Sequence, residues 1–233
     1  MTQLMYTQHP DMFQTTAQVT HVNRDAKGHY LVLNRSLFYP QGGGQPADQG
    51  TIDPAKACYA IFDVRHVHGE VRHYTIDNTI PIYHTGHATI NIDRERRTLN
   101  SKYHTAGHLI ASIVERENPE IKAIKGHQFP GEAYVEFDGT VGDLTHFITQ
   151  VQSQAFAHIL SNSSVKTEEA SIDDAAKILQ DPSYQTLRVC RILGFPPTPC
   201  GGTHVKTLRD LSSLVINRCK NKKGKLRIYY EVA

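Results

Sequence analysis

The sequence predicts an α+β fold in which a strand-rich N-terminal part, residues 1–90, precedes a mixed α/β part, residues 91–233. Two observations support this prediction. Between residues 16 and 90, apolar and polar residues alternate with the two-residue period of a half-buried strand. From Asp93 onwards, apolar residues recur at three- and four-residue steps, which is the period of a helix. The change of period places a domain boundary near residue 90.

The N-terminal part contains two stretches that each predict a pair of strands. The stretch TAQVTHVNRDAKGHYLVLNRSLFYP alternates in polarity on both sides of a turn signal at Ala26-Lys27-Gly28. The stretch YAIFDVRHVHGEVRHYTID does the same around His68-Gly69-Glu70. Several short strands at this spacing are typical of a small β-barrel or sandwich.

The second part begins with one or two helices from Asp93 to about Glu117, and Pro119 is the first proline after them. The stretch AYVEF predicts a strand, and residues 144–160 predict another helix. A short helix is expected over residues 172–180, because Ser171 and the acidic residues after it are typical of a helix N-terminus. The stretches TLRVCRIL, SSLVINRCK and KLRIYYEV predict the last strands.

Composition excludes several classes of protein. The chain has 39% hydrophobic and 21% charged residues, which is ordinary for a globular protein, and its net charge of +2 does not by itself indicate a nucleic-acid binder. The N-terminus lacks the pattern of a signal peptide, and no apolar run is long enough to cross a bilayer. We therefore expect a cytoplasmic protein without a membrane partner.

Two short motifs predict a metal site. In HTAGH, His104 and His108 are four residues apart, so both imidazoles lie on one face of the predicted helix. In CGGTH, Cys200 and His204 flank a pair of glycines that lets the loop bring both side chains to one point. Either motif alone is as typical of an exposed polar face as of a metal site. Together they predict a four-residue ligand set, and three nitrogens with one thiolate suit Zn²⁺.

Cysteines elsewhere are not expected to bind the metal. Cys58, Cys190 and Cys219 are sparse and irregularly spaced, which also argues against a disulfide scaffold. A zinc peptidase is excluded because its helix carries His-Glu-x-x-His, whereas Thr105, Ala106 and Gly107 stand between the two histidines here and none can act as a general base.

A third motif, FYPQGGGQPADQG at residues 38–50, carries three consecutive glycines. No Gly-Lys-Ser/Thr follows them, so a phosphate-binding loop is not indicated. Together with HTAGH and CGGTH, in this order, the motif resembles the editing domain of alanyl-tRNA synthetase, and more closely the free-standing AlaX trans-editing proteins of medium length. The resemblance extends to KGKLRIYY near residue 230. Gly107 departs from the residues common at that position in the family but spares the metal ligands.

The resemblance implies a translation-protein-like β-barrel followed by an α/β editing domain of the type called the second additional domain of threonyl- and alanyl-tRNA synthetases. It also implies that the His-x-x-x-His and Cys-x-x-x-His residues bind zinc. The implied activity is hydrolysis of serine, and possibly glycine, wrongly attached to tRNA(Ala). The chain is too short to add an aminoacylation domain and has no ATP-binding signature, so we expect no ATP. A zinc-stabilised RNA-binding module without hydrolytic activity is the alternative.

Hydrolysis of an aminoacyl ester needs groups that recognise the amino acid. Gln45 in the Gly-rich loop is the first candidate, because its amide both donates and accepts hydrogen bonds and could contact a seryl hydroxyl or the terminal ribose. Thr105 and Thr203, next to metal ligands, are the other candidates, although Gln45 could equally serve to tie its loop to the backbone. Whether the ion activates water or only positions the substrate stays open, because a closed set of four ligands is typical of structural zinc.

An RNA substrate predicts basic surfaces, and two clusters of basic residues qualify. Such clusters neutralise phosphates whatever the sequence of the RNA, although lysines also occur on edge strands to prevent pairing. The first cluster is Arg94, Arg96, Arg97 and Lys102, and the second is Arg218, Lys220, Lys222, Lys223, Lys225 and Arg227.

Overall fold

The computed structural model describes residues 1–54, 57–77, 85–170 and 187–233. These residues form mostly strands, with two long α-helices, so the prediction of a mixed α and β structure is confirmed. They divide into an N-terminal unit, Met1–Gly42 with Pro46–Thr98, and a C-terminal unit, Gly43–Gln45 with Leu99–Ala233. The helix predicted over residues 172–180 lies outside the described residues.

The N-terminal unit is built from eight described strands and a 3₁₀ turn at Met5–Thr7. The strands are β1 (Gln3–Leu4), β2 (Gln14–Asp25), β3 (Gly28–Leu33), β4 (Arg35–Ser36), β5 (Gly50–Pro54), β6 (Tyr59–Val67), β7 (Glu70–Thr75) and β8 (Gly86–Ile92). Six of them pair in the closed order β2-β3-β7-β6-β5-β8, and β8 pairs back onto β2, which makes a closed barrel. Closure leaves these strands without a free edge.

The two predicted turns both form hairpins. Asp25 pairs with Gly28, so that Ala26 and Lys27 alone connect β2 to β3. Val67 pairs with Glu70, and the connecting residues His68 and Gly69 both have positive φ, at 48° and 83°. Two consecutive positive φ values match the twist of a two-residue hairpin, which explains the glycine.

Arg97 is a buried structural residue of the N-terminal unit, and its prediction as an RNA contact is wrong. Its guanidinium is 1% exposed and forms an ion pair with Asp48, whose carboxylate is fully buried. It also donates to the carbonyl oxygens of Pro10 (2.9 Å) and Leu37 (2.6 Å). A guanidinium with its donors committed inside the protein has none to offer to a phosphate.

His73 is buried in the same unit as a neutral side chain. Its Nδ1 lies 3.0 Å from the Leu31 carbonyl oxygen and its Nε2 lies 2.8 Å from the Ser36 hydroxyl. Since a carbonyl can only accept, Nδ1 carries the proton and the Ser36 hydroxyl donates to Nε2. Burial lowers the pKa of His73 to about 4, against the hydrogen bond to Leu31, which raises it.

The described residues of the C-terminal unit form two sheets. The four-stranded sheet has the order β14-β15-β10-β9, and the three-stranded sheet has the order β11-β12-β13. The ranges are β9 (Lys122–His127), β10 (Tyr134–Asp138), β11 (Val165–Ala170), β12 (Leu187–Ile192), β13 (Thr198–Pro199), β14 (Val215–Lys222) and β15 (Lys225–Glu231). A 3₁₀ turn covers Leu208–Leu211.

The first of the two α-helices that the structure describes, α1 (Arg94–Glu117), is a single helix of 24 residues, where the sequence left one or two open. Its first turn is capped by the Asp93 carboxylate, which accepts from the Arg96 amide at 3.0 Å. The second, α2 (Leu144–Leu160), begins as predicted, with Asp143 accepting from the His146 amide. No helix among the described residues has an apolar stretch long enough to span a membrane.

The buried face of α1 belongs to the main core of the C-terminal unit. Its residues Ala106, Leu109, Ile110 and Ile113 are fully buried at helical spacing, in one cluster with residues of α2 and the four-stranded sheet. This packing fixes the rotation of α1 about its axis. The histidines at positions 104 and 108 are thereby held at one place on the helix.

Candidate functional site

The four predicted ligands come together in the C-terminal unit. One donor atom from each of His104, His108, Cys200 and His204 lies within 4.8 Å of the other three. The Cys200 Sγ is 3.2 Å from His204 Nε2 and 3.5 Å from His104 Nε2. Two donors come from one face of α1 and two from the loop that follows β13, so this group could hold a metal ion.

Hydrogen bonds fix the tautomer of His104. The Gln45 Oε1 accepts the Thr203 backbone amide at 3.0 Å, which identifies that atom as the oxygen because a backbone N–H can only donate. The same oxygen is 2.6 Å from His104 Nδ1, so Nδ1 must carry a proton and donate it. The lone pair of His104 Nε2 is therefore free and points towards Cys200.

His204 is held in the same way by Thr105. The Thr105 hydroxyl donates to the Ser101 carbonyl oxygen at 2.8 Å, and this bond uses its only proton. It therefore accepts from His204 Nδ1, at 3.1 Å, and from the Val205 amide, at 3.2 Å. The His204 Nε2 is left with a free lone pair next to Cys200. Partners that orient ligand imidazoles in this way are typical of metal sites in proteins.

The electrostatic setting favours a bound cation. Burial lowers the pKa of His108 to about 4 and holds those of His104 and His204 well below their usual value, so all three rings are neutral donors. Burial raises the pKa of the Cys200 thiol, against the lowering effects of the Gly202 amide and Arg188. The thiol therefore needs a positive charge nearby to ionise, and a divalent cation supplies one. The donor set fits a zinc ion.

Two glycines are required by close packing at this site. A Cβ at Gly202 would overlap the His104 ring and lie 2.8 Å from Gln45 Oε1. A Cβ at Gly44, where φ is +82°, would lie 2.5 Å from the Gly126 carbonyl oxygen. The Gly44 carbonyl oxygen accepts a hydrogen bond from the backbone N–H of Gln128 at 2.8 Å. This part of the Gly-rich loop therefore lies against the end of β9. A side chain at position 202 would displace His104 or Gln45, and one at position 44 would separate the loop from Gly126.

The three residues expected to contact substrate are instead bonded to the four-donor group or to each other. Gln45, Thr105 and Thr203 are all fully buried. Gln45 Nε2 donates to Thr203 Oγ1 at 2.9 Å, and the Thr203 hydroxyl also lies 2.8 Å from that of Ser101. Since both lone pairs of Gln45 Oε1 are occupied, the amide cannot accept a hydrogen bond from a seryl group.

A cleft of about 220 Å³ adjoins the metal ligands. His104 and His108 lie on one side of it together with Gly107, and the end of β9 lies on the other with Lys125 and Gly126. Gln128 is also part of the lining. The remaining lining residues are Gly43, Ala111, Ala123, Ile124, Val135 and Thr198. The cleft is smaller than pockets for drug-sized ligands, which suits a small aminoacyl group.

Arg188 and Gln128 are residues of the site that the sequence did not predict. Arg188 Nη1 donates to the carbonyl oxygens of Cys200 and Gly202, both at 2.8 Å, and so holds the ligand loop against β12. Sequence carries no local signal for such a bond, because the carbonyls belong to residues 12 and 14 positions away. For Gln128 the only signal is the pair of glycines at 107 and 126, which leave room for its side chain.

The solvent face of the four-stranded sheet carries a row of rings and a cation. His127, Tyr134, Tyr229 and Arg218 are consecutive partners across β9, β10, β15 and β14. The His127 and Tyr134 rings are 5.2 Å apart, the two tyrosine rings are 5.7 Å apart, and the Arg218 guanidinium lies 4.1 Å from the Tyr229 ring. We call this row the aromatic row. Such rings are the kind of surface on which unpaired bases stack.

The basic residues of the second predicted cluster lie beside the aromatic row. Lys220, Lys222, Lys223 and Lys225 are exposed, and with Arg227 they line a surface cavity of about 410 Å³. Arg227 is less available for contact with a phosphate, because it forms an ion pair with Glu136. Glu136 is the one acidic residue among those lining this cavity.

The first predicted basic cluster is divided. Arg94 is exposed and lies 4.4 Å over the Phe13 ring, while Arg96 donates to the Ala47 carbonyl oxygen at 3.0 Å. Lys102 donates to the Ala233 carbonyl oxygen at 2.8 Å. These three keep some exposure to solvent, in contrast to Arg97.

Comparison with known proteins gives two family matches. Residues 4–96 match the family of class II (A) tRNA synthetases, and residues 187–229 match the second additional domain of threonyl- and alanyl-tRNA synthetases. An alanyl-tRNA editing protein AlaX-M from Methanosarcina barkeri is 27% identical, over 99% of this chain and 98% of its own length. The alanyl-tRNA editing protein AlaX-L from Pyrococcus horikoshii is 25% identical, over 97% of this chain and 56% of its own.

Alanine–tRNA ligases match a similar length of this chain. The ligase of Methanothermobacter thermautotrophicus is 28% identical over 93% of the chain, but the match covers only 24% of the ligase. The chain thus spans about a quarter of that ligase and nearly all of the AlaX-M protein.

Proposed function

We propose that this chain, which is similar to AlaX editing proteins over nearly all of its length, hydrolyses the ester between tRNA(Ala) and a wrongly attached serine or glycine. Such an activity contributes to the fidelity of translation, and we expect it in the cytoplasm. Methanosarcina and Pyrococcus relatives are named for alanyl-tRNA editing, and nearly all of this chain aligns with them.

The observation that carries this proposal is the position of the small cleft next to the four-donor group. The His104 and His108 side chains belong both to that group and to the lining of the cleft. A substrate in the cleft would therefore lie against the ligands of a metal ion. This is the arrangement that an ester hydrolase for a small aminoacyl group requires.

We assign zinc to the group, held by His104, His108, Cys200 and His204, where the bound ion supplies positive charge and Lewis acidity at the wall of the cleft. The protein's own residues keep that wall in place. Gln45 and Thr105 hold a proton on Nδ1 of His104 and His204, and Thr203 holds Gln45. We therefore assign these three to positioning of the ligands rather than to contact with the substrate.

The narrow cleft provides the first level of selection. Several of its lining residues are glycine or alanine, which leave room close to the backbone, and its volume of about 220 Å³ favours a small amino acid. Serine, glycine and alanine are all small enough. Discrimination of serine from alanine must come from hydrogen bonding to the seryl hydroxyl.

We propose that the aromatic row and the basic residues beside it bind the RNA. The exposed lysines can neutralise phosphates, and the row offers rings for the unpaired bases of the acceptor end. We call Lys222, Lys223 and Lys225 the hairpin lysines, because they surround the turn between β14 and β15. Arg94, Arg96 and Lys102 remain candidates for further phosphate contacts.

The direct test is deacylation of Ser-tRNA(Ala) and Gly-tRNA(Ala) by the purified, zinc-loaded protein, with correctly charged Ala-tRNA(Ala) as the comparison. We expect release of serine well above the spontaneous rate, and loss of that release together with bound zinc in Cys200→Ala. The matched control is Cys58→Ala, at an exposed cysteine outside the four-donor group. The Cys58→Ala protein should keep both its bound zinc and the release of serine.

The alternative is a zinc-stabilised RNA-binding module without hydrolysis, which the aromatic row would also suit. The same preparation should therefore be measured for binding of uncharged tRNA(Ala). Binding of tRNA with serine release at the spontaneous rate would reject the deacylase and favour the module.

A further inference from the structure

Gln128 lies in a space that two glycines leave for it. A Cβ at Gly107 would be 2.6 Å from both terminal atoms of the Gln128 amide, and a Cβ at Gly126 would overlap the same amide. Gly107 is in the interior of α1, where glycine destabilises the helix relative to alanine. The glycine that departs from the family pattern is therefore explained by the side chain opposite it.

The orientation of the Gln128 amide follows from the protons available around it. The Tyr230 hydroxyl lies within hydrogen-bonding distance of the Gln128 amide and, at 2.8 Å, of the Tyr103 carbonyl oxygen. A phenol has one proton, and a carbonyl oxygen can only accept, so Tyr230 donates to Tyr103. The amide atom facing Tyr230 must then be a donor, which assigns it as the nitrogen, since the two ends of an amide are distinguished only by such partners.

This assignment places the amide oxygen on the other side, towards Gly126, while Gly107 is equally close to both ends of the amide. Both glycines line the cleft, and Gln128 lines it too. The side chain is only 4% exposed, and the hydrogen bond to Tyr230 uses only its inward atom. The fully buried side-chain atoms without a partner among the described residues belong to Asp53, Asn100 and Arg188, so the outward atom of Gln128 stays within reach of a ligand hydroxyl in the cleft.

We propose that the Gln128 oxygen accepts a hydrogen bond from the hydroxyl of a seryl group in the cleft, and so selects serine over alanine. This inference rests on the proposed function, because it names the group that recognises the amino acid. A site that pairs with a substrate hydroxyl disfavours an analogue without one, since its own polar atom is then left buried and unpaired. Gln128 takes the role in serine recognition that the sequence analysis gave to Gln45. The Gln45 oxygen cannot fill this role, because it already accepts hydrogen bonds from His104 and the Thr203 amide.

The test measures binding rather than hydrolysis, so that it is separate from the test of the activity. The probes are non-hydrolysable 3′-amino-3′-deoxyadenosine amides of serine and of alanine, titrated calorimetrically into the zinc-loaded protein. We expect the wild type to bind the seryl compound more tightly. Gln128→Met keeps the length of the side chain and removes the acceptor. It should weaken seryl binding by about threefold to tenfold and leave alanyl binding unchanged.

The matched control is Gln154→Met on α2, where the glutamine pairs with Arg116 away from the cleft. It should retain the preference for serine. Equal weakening of both compounds in Gln128→Met would show that the residue holds a group common to all amino acids, such as the α-ammonium. That result, or no change at all, would overturn the proposal. Failure of the deacylase assay with an intact seryl preference would instead reject only the reaction.

A second variant leaves Gln128 in place. Tyr230→Phe removes the hydroxyl that fixes the amide, so the amide can turn its nitrogen towards the cleft. The preference for the seryl compound should fall while zinc content stays at the wild-type level. An unchanged preference in a folded Tyr230→Phe protein would contradict the assigned orientation.

Discussion

Replacement of Gln45 by alanine removes three hydrogen bonds next to the metal ligands. The lost contacts are Oε1 with His104 Nδ1 (2.6 Å), Oε1 with the Thr203 amide (3.0 Å) and Nε2 with Thr203 Oγ1 (2.9 Å). Gln45 is fully buried, so water does not replace these partners without entering the core. Two N–H donors, those of His104 and Thr203, are left unpaired.

The expected effect is on metal affinity. Each buried group left unpaired costs about 1–3 kcal/mol. Part of that cost destabilises the fold, and part acts on the metal, because His104 no longer has a partner that keeps its proton on Nδ1. Loss of such a partner typically weakens metal binding by about 10- to 100-fold. We therefore expect Gln45→Ala to lower zinc affinity by that factor, although the protein can still fill with zinc at high concentration.

Zinc affinity can be measured by competition with a chromogenic chelator of known affinity. The matched control is Gln49→Ala in the same loop, whose side chain donates to the Phe62 carbonyl oxygen near the surface. It should leave the dissociation constant within about twofold of the wild type. If folded Gln45→Ala binds zinc as tightly as Gln49→Ala does, the hydrogen bond to His104 has no role in metal binding, and our assignment of Gln45 is refuted.

Three further predictions concern other parts of the molecule. Asp48→Ala leaves the Arg97 charge buried and unpaired, so the free energy of unfolding in urea should fall by about 3–5 kcal/mol, whereas Arg191→Ala, which breaks an exposed pair, should change it by less than about 1 kcal/mol. His73 has a folded pKa of about 4 and an unfolded value near 6.5, so the unfolded state takes up a proton that the folded state refuses as the pH falls through this window. Between pH 6.5 and 4, the free energy of unfolding should therefore fall by about 3 kcal/mol less in His73→Gln than in the wild type. An equal fall in both proteins would contradict the burial argument. Replacement of the hairpin lysines by alanine should weaken tRNA binding and reduce its dependence on salt, and an unchanged salt slope would mean that they only protect the sheet edge.

The metal ligands could be predicted from the sequence because each half of the site is local. His104 and His108 are related by one helical turn, and Cys200 and His204 by a glycine loop, so their spacing alone carries the geometry. The hairpin turn at His68-Gly69 could also be predicted from the sequence, since the two-residue turn requires a positive φ at Gly69. Such features depend on a few adjacent residues.

The roles that could not be predicted depend on contacts across the chain. Arg97 stands among other basic residues in the sequence and therefore resembles a surface residue. Its partner Asp48 is 49 positions away, and no local pattern connects the two. The sequence marks Gln45 as a candidate for contact with the substrate, but only its partners His104 and Thr203, 59 and 158 positions away, show that its amide oxygen is fully used. Gln128 was not noticed, because it is recognisable only from the empty space at Gly107 and Gly126.

The long separations within the metal site have a consequence for how the chain folds. Gln45 and Thr203 are 158 positions apart, and His104 and Cys200 are 96 apart, so no short segment contains more than two ligands. Contacts of such range form late, after most of the loop entropy has been lost. Zinc can bind at full strength only when these distant segments have met, and it then stabilises the assembled state over every earlier one. Metal uptake during refolding should therefore report the last step of assembly, and a truncated chain ending before Cys200 should remain unloaded.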